Sequence, residues 1–286
     1  VDYWFTNAPK EPATIQFIDA KGVTIRSFKS ESAPDTSDHS PKTIVDSLAF
    51  NASDSIVTTR AGSNRFWWNL RYPSAKEIKS VTNDEGTLDG PMAVPGTYRV
   101  RMIAGKDTLT RSFTIKLDPR LQTTTADLQQ QFDLGMKVQG RMNSIVDAFA
   151  RINDLQQQID VRVGQSAEQE YAKRVKDAAK PVRERLEVVR TELVDWFNHD
   201  DQATLHFPIK LYNMMLTLNS QVLGQEAAPT QQHGAILNDL GGKIDVQLEA
   251  LQKLESDELK KLNALLQEVG LPPVFVPPAP KGKIIS

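Results

Sequence analysis

Apolar and polar residues alternate early in the chain. In Ala13-Thr14-Ile15-Gln16-Phe17-Ile18-Asp19, Ile15 and Phe17 fall on one face while Thr14 and Gln16 point away, the period-two signature of a strand. Asp19-Ala20-Lys21-Gly22 reads as a turn and Val23 to Phe28 as the returning strand. Residues 29–54 are rich in Ser, Asp and Pro and read as a long polar loop, with one short edge strand near Ile44–Phe50. Arg65 to Pro73 then alternates again. Phe66, Trp68, Leu70 and Tyr72 share one parity and are expected to face a core, with Trp67, Asn69 and Arg71 turned the other way. After an irregular insertion at 74–93, Val94-Pro95-Gly96 feeds a strand with Tyr98, Val100 and Met102 inward. Ala104-Gly105-Lys106-Asp107 turns once more, and Thr108 to Leu117 closes the sheet before Asp118-Pro119. About seven short strands separated by turns predict an antiparallel β-sandwich of the immunoglobulin type over residues 1–118.

Past Arg120 the period lengthens. Val138, Met142, Ile145, Phe149, Ile152, Leu155 and Ile159 recur every three or four residues. They form one helical stripe beginning near Thr125, which can cap it, and ending before Gly164. Tyr171, Val175, Ala178, Val182, Leu186, Val189, Leu193 and Trp196 form a second stripe, with a kink or restart expected at Pro181. A shorter third helix is expected from Pro208, with Leu211, Met215, Leu218 and Val222 on one side. Pro229-Thr230 opens a fourth, carried by Leu237, Leu240, Ile244, Leu248 and Leu251. Asp257 to Val269 predicts a last short helix, stopped by Gly270-Leu271-Pro272-Pro273. The expected architecture is therefore multidomain, all-β plus all-α: the sandwich, then an up-down four-helix bundle over 122–272, then a Pro-rich extended tail at 273–286.

Composition narrows the function classes. The 286 residues, 40% hydrophobic and 24% charged, suffice for about two domains of ordinary size. A formal charge of −2, split only weakly between the halves, lacks the basic excess that tracks a phosphate backbone, so no nucleic-acid partner is expected. The chain has no cysteine, which removes disulfides, thiolate metal sites and cysteine nucleophiles together. No apolar run approaches the ~20 residues of a membrane helix, so no membrane span is expected. The opening Val1-Asp2-Tyr3-Trp4-Phe5, with neither Met nor a basic leader, predicts that a segment precedes it.

Candidate chemistry is sparse. His39, His199, His206 and His233 are scattered, without the converging set of three or four ligands that a metal requires, and each reads as structural. Adjacent carboxylates at Asp84-Glu85 and Asp200-Asp201 fall in apparent loops and read as solvated turns or caps. GxSxG, HExxH, P-loop and GxGxxG motifs are absent, so no catalytic residue, metal site or cofactor is expected. The aromatics are the candidate surface. Tyr3-Trp4-Phe5 reads as an anchor for whatever precedes Val1. Trp67, opposite in parity to Trp68, has a flat ring that can stack on a sugar, or can cover a domain junction or second sheet, the reading we prefer.

One combination of segments is familiar. Tyr3-Trp4-Phe5, Ala8-Pro9, Asn64-Arg65-Phe66-Trp67-Trp68-Asn69-Leu70-Arg71-Tyr72-Pro73, Val94-Pro95-Gly96-Thr97-Tyr98, Leu117-Asp118-Pro119-Arg120, Gln131-Phe132-Asp133 and Gly270-Leu271-Pro272-Pro273 span nearly the whole chain. Together they resemble the C-terminal region of bacterial sortilin-like β-propeller proteins with BNR/Asp-box repeats, often labelled glycosyl hydrolases. Through Pro95-Gly96-Thr97-Tyr98 the β half is also similar to the Ig-like domain of flagellar hook-capping proteins. The resemblance implies an upstream propeller carrying any hydrolytic centre, and export to the periplasm or cell exterior. The chain holds no Ser-x-Asp-x-Gly-x-x-Trp repeat, so no catalytic residue carries over. The expected role is a non-catalytic accessory region that docks on the propeller and offers a protein-binding surface on its helices. A carbohydrate-binding or glycosidase-accessory module is the alternative, and self-association through the long helices is a third reading.

Overall fold

The computed structural model describes residues 1–30, 56–79, 81, 86–195 and 208–276. The chain divides into two compact units. The first comprises Val1–Ser74, Asp89–Asp133 and Glu226–Ala228; the second comprises Ala75–Leu88, Leu134–Gln225 and Pro229–Ser286.

The first unit is built on two antiparallel sheets. Strands β2 (Ala13–Ile18), β3 (Thr24–Lys29), β5 (Gly96–Ala104) and β6 (Asp107–Ile115) form a four-stranded sheet in the order β3-β2-β5-β6. Strands β1 (Asp2–Phe5) and β4 (Gly62–Arg65) form a separate two-stranded ribbon. Between them lies an aromatic core: Phe17 stacks on Trp68 with centroids 4.2 Å apart, Phe28 meets Phe66 at 4.7 Å, and Phe113 packs edge-on to Trp68. Ala13, Ile15 and Val57 complete it. The period-two alternation of β2 thus does what it predicts, up to a register shift at Phe17/Ile18 that buries both residues.

Among the described residues, six strands in sheets of four and two do not form the immunoglobulin-type sandwich of about seven strands, and that expectation is corrected. The chief cause is residues 66–73. Phe66 is buried and Trp67 exposed, as alternation demands, but the ladder with β1 ends at Arg65. Leu70 takes a left-handed φ of 60°, which no strand accommodates. The segment is an arch instead, held by Ala93 N–H donating to Leu70 C=O (2.7 Å), Tyr72 N–H to Pro91 C=O (2.9 Å) and the Trp68 indole N–H to Arg71 C=O (3.0 Å). The strand expected near Ile44–Phe50 lies outside the described residues.

Helices dominate the second unit: α1 (Thr125–Ser166), α2 (Ala172–Leu193), α3 (Leu211–Leu223), α4 (Gln231–Leu254) and α5 (Lys260–Glu268). The division places the first turns of α1, through Asp133, in the first unit. Every position of the α1 stripe from Val138 to Ile159 is buried. The helix is capped by Thr124 rather than Thr125: Thr124 Oγ1 accepts from Asp127 N–H at 3.1 Å, and Asp127 Oδ2 accepts from Thr124 N–H at 2.9 Å. Helix α2 passes through Pro181 without a restart. Helix α3 begins at Leu211, after Lys210 in extended conformation, three residues later than Pro208 suggested.

The up-down four-helix bundle is also corrected. Helix α3 has 13 residues beside the 42 of α1, so the rods do not match in length. Helices α4 and α5 are not separate; a π-helical turn at Glu255–Leu259 joins them into one run from Gln231 to Glu268. A non-helical clip completes the unit. Ala75, Ile78 and Val81 enter the helical core, Asn219 of α3 donates to Thr87 C=O at 2.8 Å, and Gly86 lies against the Leu216 carbonyl so closely that a Cβ would come within 2.2 Å of it. At the far end Val274 is 2% exposed, and the Asn263 amide both donates to its C=O (2.9 Å) and accepts from its N–H (2.7 Å). Residues 277–286 of the tail lie outside the described residues.

Candidate interaction surface

The ribbon sorts its side chains by parity. Its register pairs Asp2 with Arg65, Tyr3 with Asn64, Trp4 with Ser63 and Phe5 with Gly62, and Phe66 N–H to Val1 C=O at 2.9 Å extends the ladder by a step. Tyr3, Phe5, Asn64 and Phe66 turn inward. Tyr3 and Phe5 pack against the aromatic core, and the Tyr3 hydroxyl donates to Thr58 C=O at 2.7 Å. Asn64, 5% exposed, accepts from Arg60 N–H and donates to the carbonyls of Arg60 and Gly62, which fixes the turn entering β4. Gly62 in that turn has φ +95°, which favours glycine.

The opposite parity forms the outer face: Asp2, Trp4, Ser63, Arg65 and Trp67. Trp4 is 70% exposed and Trp67 66%. Between them Arg65 binds Asp2 bidentately, Nε to Oδ1 at 2.5 Å and Nη2 to Oδ2 at 3.1 Å, and its Cζ sits 5.5 Å from the Trp67 ring centroid. The hydrogen bonds from Arg65 hold the Asp2 carboxyl below its ordinary range, and the guanidinium is raised in turn. At the rise of a strand, Ser63 and Trp67 are separated by roughly 13 Å, so the two indoles flank a neutralised ion pair.

The four aromatics singled out in the sequence therefore divide. Tyr3 and Phe5 belong to the core; Trp4 and Trp67 share the outer face. The Trp67 ring, for which a domain junction or a second sheet is the expected cover, stands on the outer side of the ribbon and is exposed. Asp2 and Arg65 complete the face. Parity could have placed Arg65 beside Trp67, but nothing local in the sequence reports the β1–β4 register that delivers Asp2.

The remaining candidates are structural or undescribed. His233 serves the N-terminus of α4: its N–H donates to Thr230 Oγ1 at 3.4 Å, and its Nδ1 accepts from Thr230 N–H at 3.3 Å. His39, His199, His206 and the pairs Asp84-Glu85 and Asp200-Asp201 lie outside the described residues. Among the described residues no three His, Asp or Glu side chains gather to hold a metal ion, and no helix is long and apolar enough to cross a membrane.

With this geometry in view, comparison with known proteins adds no relative: no family model, curated protein or solved structure matches the chain.

Proposed function

We propose that this chain is a non-catalytic interaction region whose recognition face is the outer side of the β1–β4 ribbon, with Trp4 and Trp67 as anchors and an upstream β-propeller as partner. One observation carries the reading: two tryptophans, two-thirds exposed, stand on a single face whose two charged side chains, Asp2 and Arg65, are paired with each other. Trp and Arg are the residue types on which binding energy concentrates. Arg65 is held by Asp2, so contact with it costs little ordering. Covering both rings removes roughly 300 Å² from water, worth on the order of 7 kcal/mol before association costs of similar size. Such a face holds a free partner weakly. It suffices for a domain of the same polypeptide, because a linker supplies a local concentration in the millimolar range. The resemblance to propeller proteins supports that choice of partner and the export that goes with it.

The test is a titration of the chain with the segment encoded upstream. Trp4→Ala and Trp67→Ala should each weaken binding by about tenfold or more, while unfolding free energies from urea titration stay within about 0.5 kcal/mol of wild type. Undiminished binding in the double variant would sink the proposal. A saturable tryptophan-fluorescence response to a glycan, lost in Trp67→Ala, would favour the carbohydrate-binding alternative instead.

A further inference from the structure

The four-stranded sheet has two edges, and they are treated differently. Along β3, the Val57 N–H donates to Lys29 C=O at 3.3 Å, so a following segment meets the end of that edge. Strand β6 pairs with β5 on one side and with no strand among the described residues on the other, where the Thr110 C=O accepts only from its neighbour's guanidinium, Arg111 Nη1, at 3.2 Å. It is nine residues long, contains no proline, shows no register shift, and is exposed continuously from Asp107 to Ser112. Proteins ordinarily interrupt such an edge, because a straight row of free N–H and C=O groups is a template for another strand.

Hairpin geometry says which groups are free. Strands β5 and β6 join through Gly105-Lys106, with Ala104 opposite Asp107 and Gly105 at φ +57°, as the first central position of a II′ turn requires. The closing pair of a two-residue hairpin exchanges both backbone hydrogen bonds, so Asp107, Leu109, Arg111 and Phe113 direct theirs to β5. Thr108, Thr110, Ser112 and Thr114 direct theirs outward.

We propose that β6 is a homodimerisation edge, pairing antiparallel with β6 of a second copy about a two-fold axis through Leu109. This register opposes Asp107 to Arg111 twice, Leu109 to its own counterpart, and Thr108 to Thr110 twice. The Thr108/Thr110 pairs use only outward backbone groups, so the hydrogen-bond phase is satisfied. The Asp107/Arg111 and Leu109/Leu109 pairs fall at non-hydrogen-bonded positions, where side chains approach most closely. Leu109, 55% exposed beyond the core-facing Phe113 and Ile115, gains an apolar neighbour. Neighbouring registers lack this complementarity. An axis through Arg111 sets two guanidinium groups against each other; one through Thr110 sets Asp107 against Phe113 and Leu109 against Arg111.

Cross-linking of the full chain reads the register directly, because no native cysteine competes. Non-hydrogen-bonded partners have Cα atoms about 4.5 Å apart, within disulfide reach. Leu109→Cys should therefore give a covalent dimer on mild oxidation, whereas Thr110→Cys and Arg111→Cys, each offset from its own counterpart, should not. Sedimentation of wild type from about 1 to about 200 µM should show a concentration-dependent dimer, as a small interface gives. Asp107→Arg should weaken it about tenfold, and Asp107→Arg with Arg111→Asp should restore it. A wild-type monomer throughout, preferential cross-linking at 110 or 111, or no recovery in the double reversal would overturn the proposal.

Discussion

Glu255 is the residue whose protonation the structure controls most plainly. It opens the π turn, its side chain is 10% exposed, and it faces Arg151 of α1, itself 23% exposed. Arg151 Nη2 donates to Oε2 at 2.6 Å, while Nε and Oε1 approach to 2.5 Å outside hydrogen-bond geometry. Burial raises the carboxyl pKa; the charge and hydrogen bond of Arg151 pull it back, and the net direction is up. A proton is thus held more tightly in the folded state than in the unfolded one. The associated stability is complete below the ordinary value of 4.5 and is lost as pH rises through the raised folded pKa. Glu255→Gln carries no such titration. Between pH 4 and pH 7 the wild type should lose ground against this variant in urea midpoint, and equal shifts in both proteins would contradict the assignment.

At the scale of elements, the same turn explains a rule of spacing. Buried leucines of α4 fall at 251 and 254, and those that follow at 259, 262 and 266, so one step is five residues. In an α-helix five residues advance about 500°, which would set Leu259 about 140°, and Leu262 and Leu266 about 80° and 120°, round from Leu254. The wider π turn absorbs the extra residue and returns them to the core. Deleting the exposed Ser256 makes the step four and should yield continuous α-helix, with stability within about 1 kcal/mol of wild type. Inserting an alanine there should cost at least about 3 kcal/mol, because three leucines leave the core. Far-UV dichroism with urea unfolding checks both. The five-residue step was on the page in the sequence, but a broken stripe reads equally as the end of one helix and the start of another. The α1 stripe was fully legible because its period never falters. Residues 66–73 were legible only as alternation: Phe66 and Trp67 obey it, yet the φ of Leu70 and the loss of the ladder leave no local trace. For the candidate surface, parity separated Trp67 from Trp68, whereas the pairing of Asp2 with Arg65 depends on a register closed across some sixty residues.

For the whole molecule, the consequential feature is that sequence order and unit membership differ. Ala75–Leu88 lies within the β-rich half of the sequence yet belongs to the helical unit. Ile78 and Val81 are 5% and 7% exposed among the helices, and burying side chains of that size contributes roughly 1.5–3 kcal/mol each. Lys76 N–H donates to Asn143 of α1 at 2.7 Å, and Asn219 of α3, fully buried, donates to Thr87. Removing the clip strips partners from both helices and leaves polar groups of α3 without theirs, a loss on the order of 5 kcal/mol from a stability that is typically 5–15. A fragment spanning residues 122–276 should therefore bind the dye ANS and unfold without a sharp transition, and residues 75–88 joined to it through a flexible linker should restore cooperativity. In the intact chain Gly86→Ala probes the same contact more gently: its Cβ meets the Leu216 backbone, which must shift, at a cost of about 2 kcal/mol. A fragment that unfolds as cooperatively as the intact chain, together with an unperturbed Gly86→Ala, would show that the helices hold their core without the clip.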